Sequence, residues 1–483
     1  MRNESGDIMK IEIENLGQVK SAKFEEKDLT VIVGDNGSGK TLLLEATTFI
    51  INYYRMNLEE IVRKLYRLYS SQFELETDWT SLRKFIEDKT ETIDKEKPKY
   101  EFEMEVKIED QVLNNMNNNL KEFFEELKQK TISEVNREIL RVNESNLDFN
   151  LFITPKIPDT TNINCVITKY DEGIFFIDMS FEELKLGFNF PFIIDSIQRE
   201  RFLHSIDPEL IKETKKLYDP INELKNKMKN NYLYSTFSEI DDFRNILYLP
   251  SERNLFMDDA LTKTLKESNE NRYSFVRENS KVRYSEHLFN IAYLKYKDLL
   301  NRLGLGDISV DSDLEKIFGG KINLDEEGDI KSIHQLDGTI IKRELFSTKQ
   351  NRLIPYLILS NPIEVYNQVI IEEPEAHLSL KSIRELLDYF KILIKNGKKL
   401  VITTHSDVFF SHLNNLLLQN EDIDATVYEL KFLDGKSILE EKNKTDLGYK
   451  IDLFSDELNN LFEETLELQN KLEEQETIDQ NKD

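Results

Sequence analysis

Residues 34–41 read GDNGSGKT, a GxxxxGK(S/T) loop. Gly34, Gly37 and Gly39 let backbone N–H groups curl around phosphate oxygens where a Cβ would clash. Lys40 brings a positive charge to the β- and γ-phosphates, and the Thr41 hydroxyl is a ligand for Mg2+. Asp35, Asn36 and Ser38 complete this cradle, and the chain is expected to bind a nucleotide. A second stretch, QVIIEEPEAHL (368–378), sets Glu372 and Glu373 directly after the apolar run Val369, Ile370, Ile371. Acids so placed emerge at the carboxyl end of a buried strand, where parallel α/β sheets bind ligands. One carboxylate can hold Mg2+ through water, and the next can orient or deprotonate an attacking water. Glu372 is assigned to the metal and Glu373 to the water. A third stretch, KLVITTHSD (399–407), ends another buried run at His405. An imidazole there can hydrogen-bond a γ-phosphate or the attacking water.

These side chains need a sheet to hold them. LTVIVG, before the phosphate loop, is a continuous β-branched run of the kind buried in a central sheet, and TLLLEATTFIINYY after it reads as a helix. KIEIENL and residues 99–108 alternate as strands, and 112–143 is helical with Met116, Leu120, Phe123 and Leu127 on one stripe. CVITKYDEGIFFIDM reads as two strands around a turn. Residues 200–303 are mostly helical, broken by a short strand that stops at Pro250, and 316–346 carry short strands with glycine turns. A helix at 349–360, the strand QVIIEE, a helix at 379–395 stopped by Gly397, and the strand KLVITT then alternate. That alternation implies a parallel sheet with right-handed crossovers.

Composition bounds the rest. The chain has 483 residues and a net charge of −27, with 29 Phe and 19 Tyr to build cores. Its single cysteine, Cys165, excludes a disulfide framework and fits a reducing cytoplasm. No run of about 18 uncharged apolar residues exists, so no membrane span is expected. The acidity argues against coating nucleic acid by bulk electrostatics, though not against a local basic patch. Between 455 and 483 stand ten acidic residues and two lysines. Phe454, Leu458, Leu461, Thr465, Leu468 and Leu472 follow there at coiled-coil spacing, a stripe expected to pack on the body or on a partner.

The order of phosphate loop, long insert, acidic strand end and terminal TTHSD resembles ABC-type ATPases of the RecF/SMC/OLD branch. IEIENLGQVKSAKF, EEPEAHL and TTHSD are most similar to OLD-like bacterial ATPases, over about residues 9–50 and 315–410, with YLPSER (248–253) similar to an internal strand of that group. The resemblance implies an α/β fold: an ABC-type P-loop ATPase head of mixed and parallel sheet with an antiparallel β-subdomain and a mainly helical insert. The expected organisation is 1–53 and 246–442 for the two halves of the head, 54–245 for the insert and 443–483 for an acidic amphipathic helix. It also implies two heads closing over two ATP molecules, each touching one subunit's phosphate loop and the other's signature serine. Ser347, in FSTKQ (346–350), matches that serine, with Thr348 and Lys349 where the family has glycines and Lys349 adding positive charge. A glutamine loop is expected near Gln72, and His377 beside the dimer-facing loop after Glu375.

OLD nucleases carry a nuclease domain after the terminal histidine strand. The residues after His405 contain no acidic cluster on alternating strands, so a nuclease is expected on another chain. The leading expectation is an ATPase that dimerises around ATP and regulates a separate effector nuclease in bacterial anti-phage defence. The competing expectation is a RecF/SMC-like repair or recombination ATPase that binds DNA, with Lys212, Lys215, Lys216, Lys225 and Lys227 as a basic groove. A transporter motor domain fits the length, the insert and FSTKQ poorly.

Overall fold

The computed structural model describes residues 9–69, 100–106, 110–153, 166–167, 179–180, 184–190, 246–251, 283–303, 312–324, 330–360 and 366–480. Cys165, Gln72 and the lysines at 212, 215, 216, 225 and 227 lie outside the described residues. The chain divides into two compact units, one of residues 8–50, 132–151 and 244–483, the other of 1–7, 51–131 and 152–243.

The first unit is organised by one sheet. Strands β1 (Met9–Leu16) and β2 (Val19–Glu25) form an antiparallel hairpin whose inward residues Ile11, Ile13, Val19 and Phe24 are fully or nearly buried. β3 (Leu29–Gly34) is buried at every position, as its largely apolar, β-branched sequence suits a strand covered on both faces. It runs into the phosphate loop, and helix α1 (Lys40–Tyr69) begins at the loop's lysine.

The second unit holds most of α1, then β4 (Tyr100–Val106) and most of α2 (Asp110–Val135). α2 is followed by a π-turn over Asn136–Leu140 and ends at Arg141 in the left-handed region. Leu127 of the expected stripe is buried and Phe123 is half-buried under the Lys64 ammonium, 5.6 Å from its ring centre. The side chains of Met116 and Leu120 lie outside the description. Most of strand β5 (Asp148–Ile153) belongs to the first unit, where it edges the large sheet beside β1. β6 (Val166–Ile167) pairs antiparallel with β7 (Met179–Ser180), and β8 (Leu184–Phe190) with β4.

Back in the first unit, β9 (Ile246–Leu249) ends before Pro250, and α3 (Tyr284–Leu303) follows in the described chain. Residues at the start of the expected short-strand region belong instead to a helix, α4 (Ser312–Phe318), which buries Leu314, Ile317 and Phe318. Strands β10 (Lys321–Leu324), β11 (Ile330–His334) and β12 (Ile340–Lys342) then make a separate antiparallel sheet. The expected helix at 349–360 is α only over α5 (Thr348–Leu353) and tightens to a 3-10 helix from Ile354 to Ser360. Pro355 has no N–H to donate to an α-helical carbonyl, and its ring crowds the preceding turn.

The remaining elements are β13 (Gln368–Glu372), α6 (Leu380–Lys395), β14 (Lys399–Thr404), α7 (Asp407–Gln419), the hairpin β15 (Ala425–Leu433) and β16 (Lys436–Lys442), and α8 (Asp452–Gln480). The nine-stranded order is β5-β1-β2-β16-β15-β3-β14-β13-β9. β15, β3, β14, β13 and β9 are mutually parallel and form the buried centre, while hairpins supply the other side. This is the mixed-sheet P-loop ATPase head with an antiparallel subdomain. Ser379 caps α6 by accepting from Ser382 N, and the chain leaves that helix through Gly397 at φ +83°.

Helix α8 starts from the sheet. Glu429 accepts hydrogen bonds from Asp452 N at 3.2 Å and Leu453 N at 2.7 Å, and Phe454 packs on Phe410 with ring centres 6.0 Å apart. From Asp456 to Gln469 every residue is exposed, including Leu458, Leu461, Phe462 and Leu468. Among the described side chains of the stripe, packing on the body ends at Phe454.

Candidate nucleotide site

The register of the central strands brings the three motifs to one edge. Glu372 lies opposite Thr403, Thr404 opposite Val33, and Gly34 opposite Leu430, so β13, β14 and β3 deliver their carboxyl ends together. The phosphate loop fits its tight space through glycine. A Cβ on Gly34 would meet Ser38 Oγ at 2.9 Å and the Leu430 carbonyl at 3.1 Å, and Gly39, at φ +103°, faces Val19 and Gln18 just as closely. Gly37, at φ +77°, is open to space. Gln18, in the β1–β2 turn, donates its amide to the Gly37 carbonyl. Asn36 N donates to its neighbour's carboxylate, Asp35 Oδ1, at 2.6 Å.

Lys40 is buried, and its ammonium donates to the carbonyls of Gly34 at 2.7 Å and Asp35 at 2.9 Å. Burial pushes it below the usual lysine range, against the opposing pull of Glu373, Asp35, Glu372 and Glu375. The Ser38 hydroxyl is buried in the loop with no hydrogen-bond partner among the described residues. An orphaned donor beside a buried ammonium suits a phosphate oxygen.

Glu372 is buried and heavily bonded. Tyr248 Oη donates to Oε1 at 2.9 Å, Ser251 N to Oε2 at 3.2 Å, and the Thr41 hydroxyl also bonds the carboxylate. Burial nevertheless raises its pKa, and the nearby Glu45 carboxylate raises it further. Glu45 stands one turn beyond Thr41 and accepts from Ser285 N at 3.0 Å. Among the described residues no group of three or more His, Cys, Asp or Glu is arranged to hold a metal by itself. Mg2+ asks for less, one or two protein oxygens completed by phosphate and water. A hydroxyl touching a buried carboxylate fits that ion.

Glu373 sits at φ +44°, in the left-handed region, and donates its N–H to the Thr403 carbonyl at 2.9 Å. Its Oε1 lies 3.0 Å from His405 Nδ1. His377 also has a left-handed backbone, at φ +62°. Two members of the cluster carried no signal in the motifs. Glu375 is buried and accepts from Thr404 Oγ1 at 2.5 Å, and burial raises its pKa. Tyr248 sits on β9, whose YLPS sequence resembled the group's internal strand without pointing to a hydroxyl.

Ser347 stands away from this cluster in the hydrogen-bond network. It is the N-cap of α5 in a reciprocal capping box, its Oγ accepting from Gln350 N at 3.3 Å while Gln350 Oε1 accepts from Ser347 N at 2.9 Å. The positive charge expected from Lys349 is offset, because its ammonium pairs with Glu385. Arg352, on the same helix, donates to the Ser251 carbonyl at 2.7 Å.

A P-loop ending a buried strand, with an acid pair and a histidine on the adjoining strand ends, defines a P-loop ATPase. The chain belongs to the AAA ATPase domain family, whose description matches residues 7–410. No curated protein matches the sequence. Among solved structures, an Smc head bound to the C-winged helix domain of ScpA is 12% identical, with a TM-score of 0.33 over 90% of this chain and 97% of that one. The SMC head domain from Thermotoga maritima is 11% identical, with a TM-score of 0.33 over 90% of this chain and 99% of that one. A further Smc head with an extended coiled coil, bound to the C-terminal domain of ScpA derived from Pyrococcus furiosus, is 13% identical. Its TM-score is 0.30 over 95% of this chain and 100% of that one.

Proposed function

We propose that the chain hydrolyses ATP as one head of an ATP-dependent dimer and serves as the sensor and regulatory subunit of a bacterial anti-phage defence complex with a separate effector nuclease. The observation that carries the hydrolytic reading is the meeting of Lys40, Thr41, Glu372, Glu373 and His405 at one sheet edge. Lys40 exchanges its two loop carbonyls for the β- and γ-phosphate oxygens, and the Ser38 hydroxyl and loop N–H groups bind the remaining oxygens. Thr41 and Glu372 would hold Mg2+, which when bound offsets charge on the phosphates. Glu373 orients the attacking water and takes up its proton, while His405 holds Glu373 and faces the γ-phosphate.

The dimer reading is supported by the surface at Ser347. Ser347 and Thr348 are exposed, and Leu345 beside them is 71% exposed, an apolar side chain suited to an interface with a second head. The effector reading is supported by α8, whose exposed apolar stripe carries acidic neighbours and is open to a partner helix. Sedimentation of Glu373→Gln with and without ATP tests the dimer, and co-purification with the product of an adjacent gene tests the effector. A monomer under saturating ATP would remove the dimer from this reading. A solitary chain with no effect on phage infection would remove the defence role.

A further inference from the structure

We infer that Glu375 and Thr404 are positioning residues for hydrolysis, together fixing His405 against Glu373. The inference rests on the roles proposed for Glu373 and His405. Thr404 has one hydroxyl proton, and the 2.5 Å contact gives it to Glu375 Oε1. Thr404 Oγ1 in turn accepts from Ser406 N at 3.0 Å. The residues on both sides of His405 are thereby tied to a carboxylate on the neighbouring turn. That turn is itself fixed, since Ala376 N donates to the Glu373 carbonyl at 3.1 Å and Leu378 N to the Glu375 carbonyl at 2.9 Å. With Glu373 N on the Thr403 carbonyl at 2.9 Å, the two turns are joined twice, once through backbone and once through Glu375 and Thr404.

The His405 side chain is 40% exposed and meets Glu373 through Nδ1, so its ring is guided chiefly by the backbone that carries it. A buried carboxylate spent on a threonine, with Oε2 unpartnered among the described residues, is costly unless that placement matters. It also feels the charges of His405 and Glu373. Misplacing a reacting group by about 1 Å can cost about a hundredfold in rate.

The test is steady-state ATP hydrolysis by Thr404→Val, Thr404→Ser, His405→Ala and the double variant Thr404→Val/His405→Ala, each checked for cooperative melting. Thr404→Val is expected to lower kcat about tenfold with KM for ATP within about twofold, and Thr404→Ser to restore kcat. In the His405→Ala background, Thr404→Val is expected to change kcat by less than about twofold, because the residue it positions is gone. Equal and additive losses in both backgrounds would overturn the positioning role alone. A His405→Ala protein with unchanged kcat would overturn the role given to His405 and this inference with it. If Thr404→Val does not fold, Glu375→Leu is expected to reproduce its kcat loss and Glu375→Gln, which keeps an acceptor, to stay within about threefold of wild type. Wild-type kcat in Glu375→Leu would overturn the inference.

Discussion

His405 Nδ1 and Glu373 Oε1 lie 3.0 Å apart across two neighbouring strand ends, and Glu373 reaches that position from a backbone φ of +44°. A non-glycine residue in that region carries strain that surrounding bonds must hold, and such strain gathers at functional positions. Glu373→Gln keeps the shape of the side chain and an acceptor for the imidazole while removing the base. It is expected to bind ATP and to lower kcat by about a hundredfold or more, the scale for orienting groups in phosphoryl transfer. A nucleotide filter-binding assay beside a phosphate-release assay separates the two effects, and wild-type turnover would end the role assigned to Glu373.

Lys40 makes a complementary prediction at the other side of the cradle. In the structure its ammonium is held by the Gly34 and Asp35 carbonyls, and four acids pull on it from nearby. Lys40→Ala leaves those carbonyls to solvent but removes the cation that meets phosphate. ATP at a hundred times its dissociation constant stabilises a binding protein by about 2.7 kcal/mol. The wild type should therefore melt higher with ATP present, and the Lys40→Ala protein should not. Differential scanning fluorimetry with ATP and Mg2+ reads the difference.

Much of this site was legible because its chemistry is local in sequence. GDNGSGKT, the Glu372–Glu373 pair and His405 each follow a largely apolar, β-branched run, and such runs form β3, β13 and β14 with their ends aligned. The residues that no motif marks act across long sequence separations. Tyr248 reaches Glu372, and Ser285 reaches Glu45, only after the sheet and helices have packed. Glu375 sits inside a recognised motif, but its partner is Thr404, and nothing in either stretch announces the pairing. The breadth of the sheet has no local signal either. The hairpin β15–β16 inserts β15 beside β3, an arrangement set by nonlocal strand pairing that period-two patterning does not specify.

Ser347 has two duties that substitution can separate. As the N-cap of α5 it accepts from Gln350 N, and Ser347→Ala is expected to lower stability by about 1 kcal/mol. Ser347→Asp retains a capping oxygen and so should melt near wild type. The added negative charge repels a phosphate offered by a second head, so ATP-dependent dimerisation should be lost. Sedimentation with ATP in the Glu373→Gln background checks this, and a Ser347→Asp protein that still dimerises would confine Ser347 to capping.

Glu375 supplies the pH prediction. Burial raises its pKa from 4.5, with Thr404 and the repelled charge of Glu373 acting in opposite directions on it. The folded protein therefore binds this proton more tightly than the unfolded chain. The stability that follows is fully present below 4.5 and is lost as pH rises through the folded pKa. At pH 8 the wild type thus bears the cost of a buried charge that Glu375→Gln does not have. Oε2 has no partner among the described residues, so an amide nitrogen placed there displaces no donor. Glu372, raised in the same direction, is common to both proteins and cancels in the difference. Glu375→Gln is expected to melt about 2 °C above wild type at pH 8, the scale on which 1 kcal/mol moves a protein of this size. The gap should narrow as the buffer is acidified toward 4.5. Melting curves of the two proteins between pH 5 and 8 decide it, and a gap that widens toward acid would mean that Glu375 is held as a carboxylate by a favourable charge.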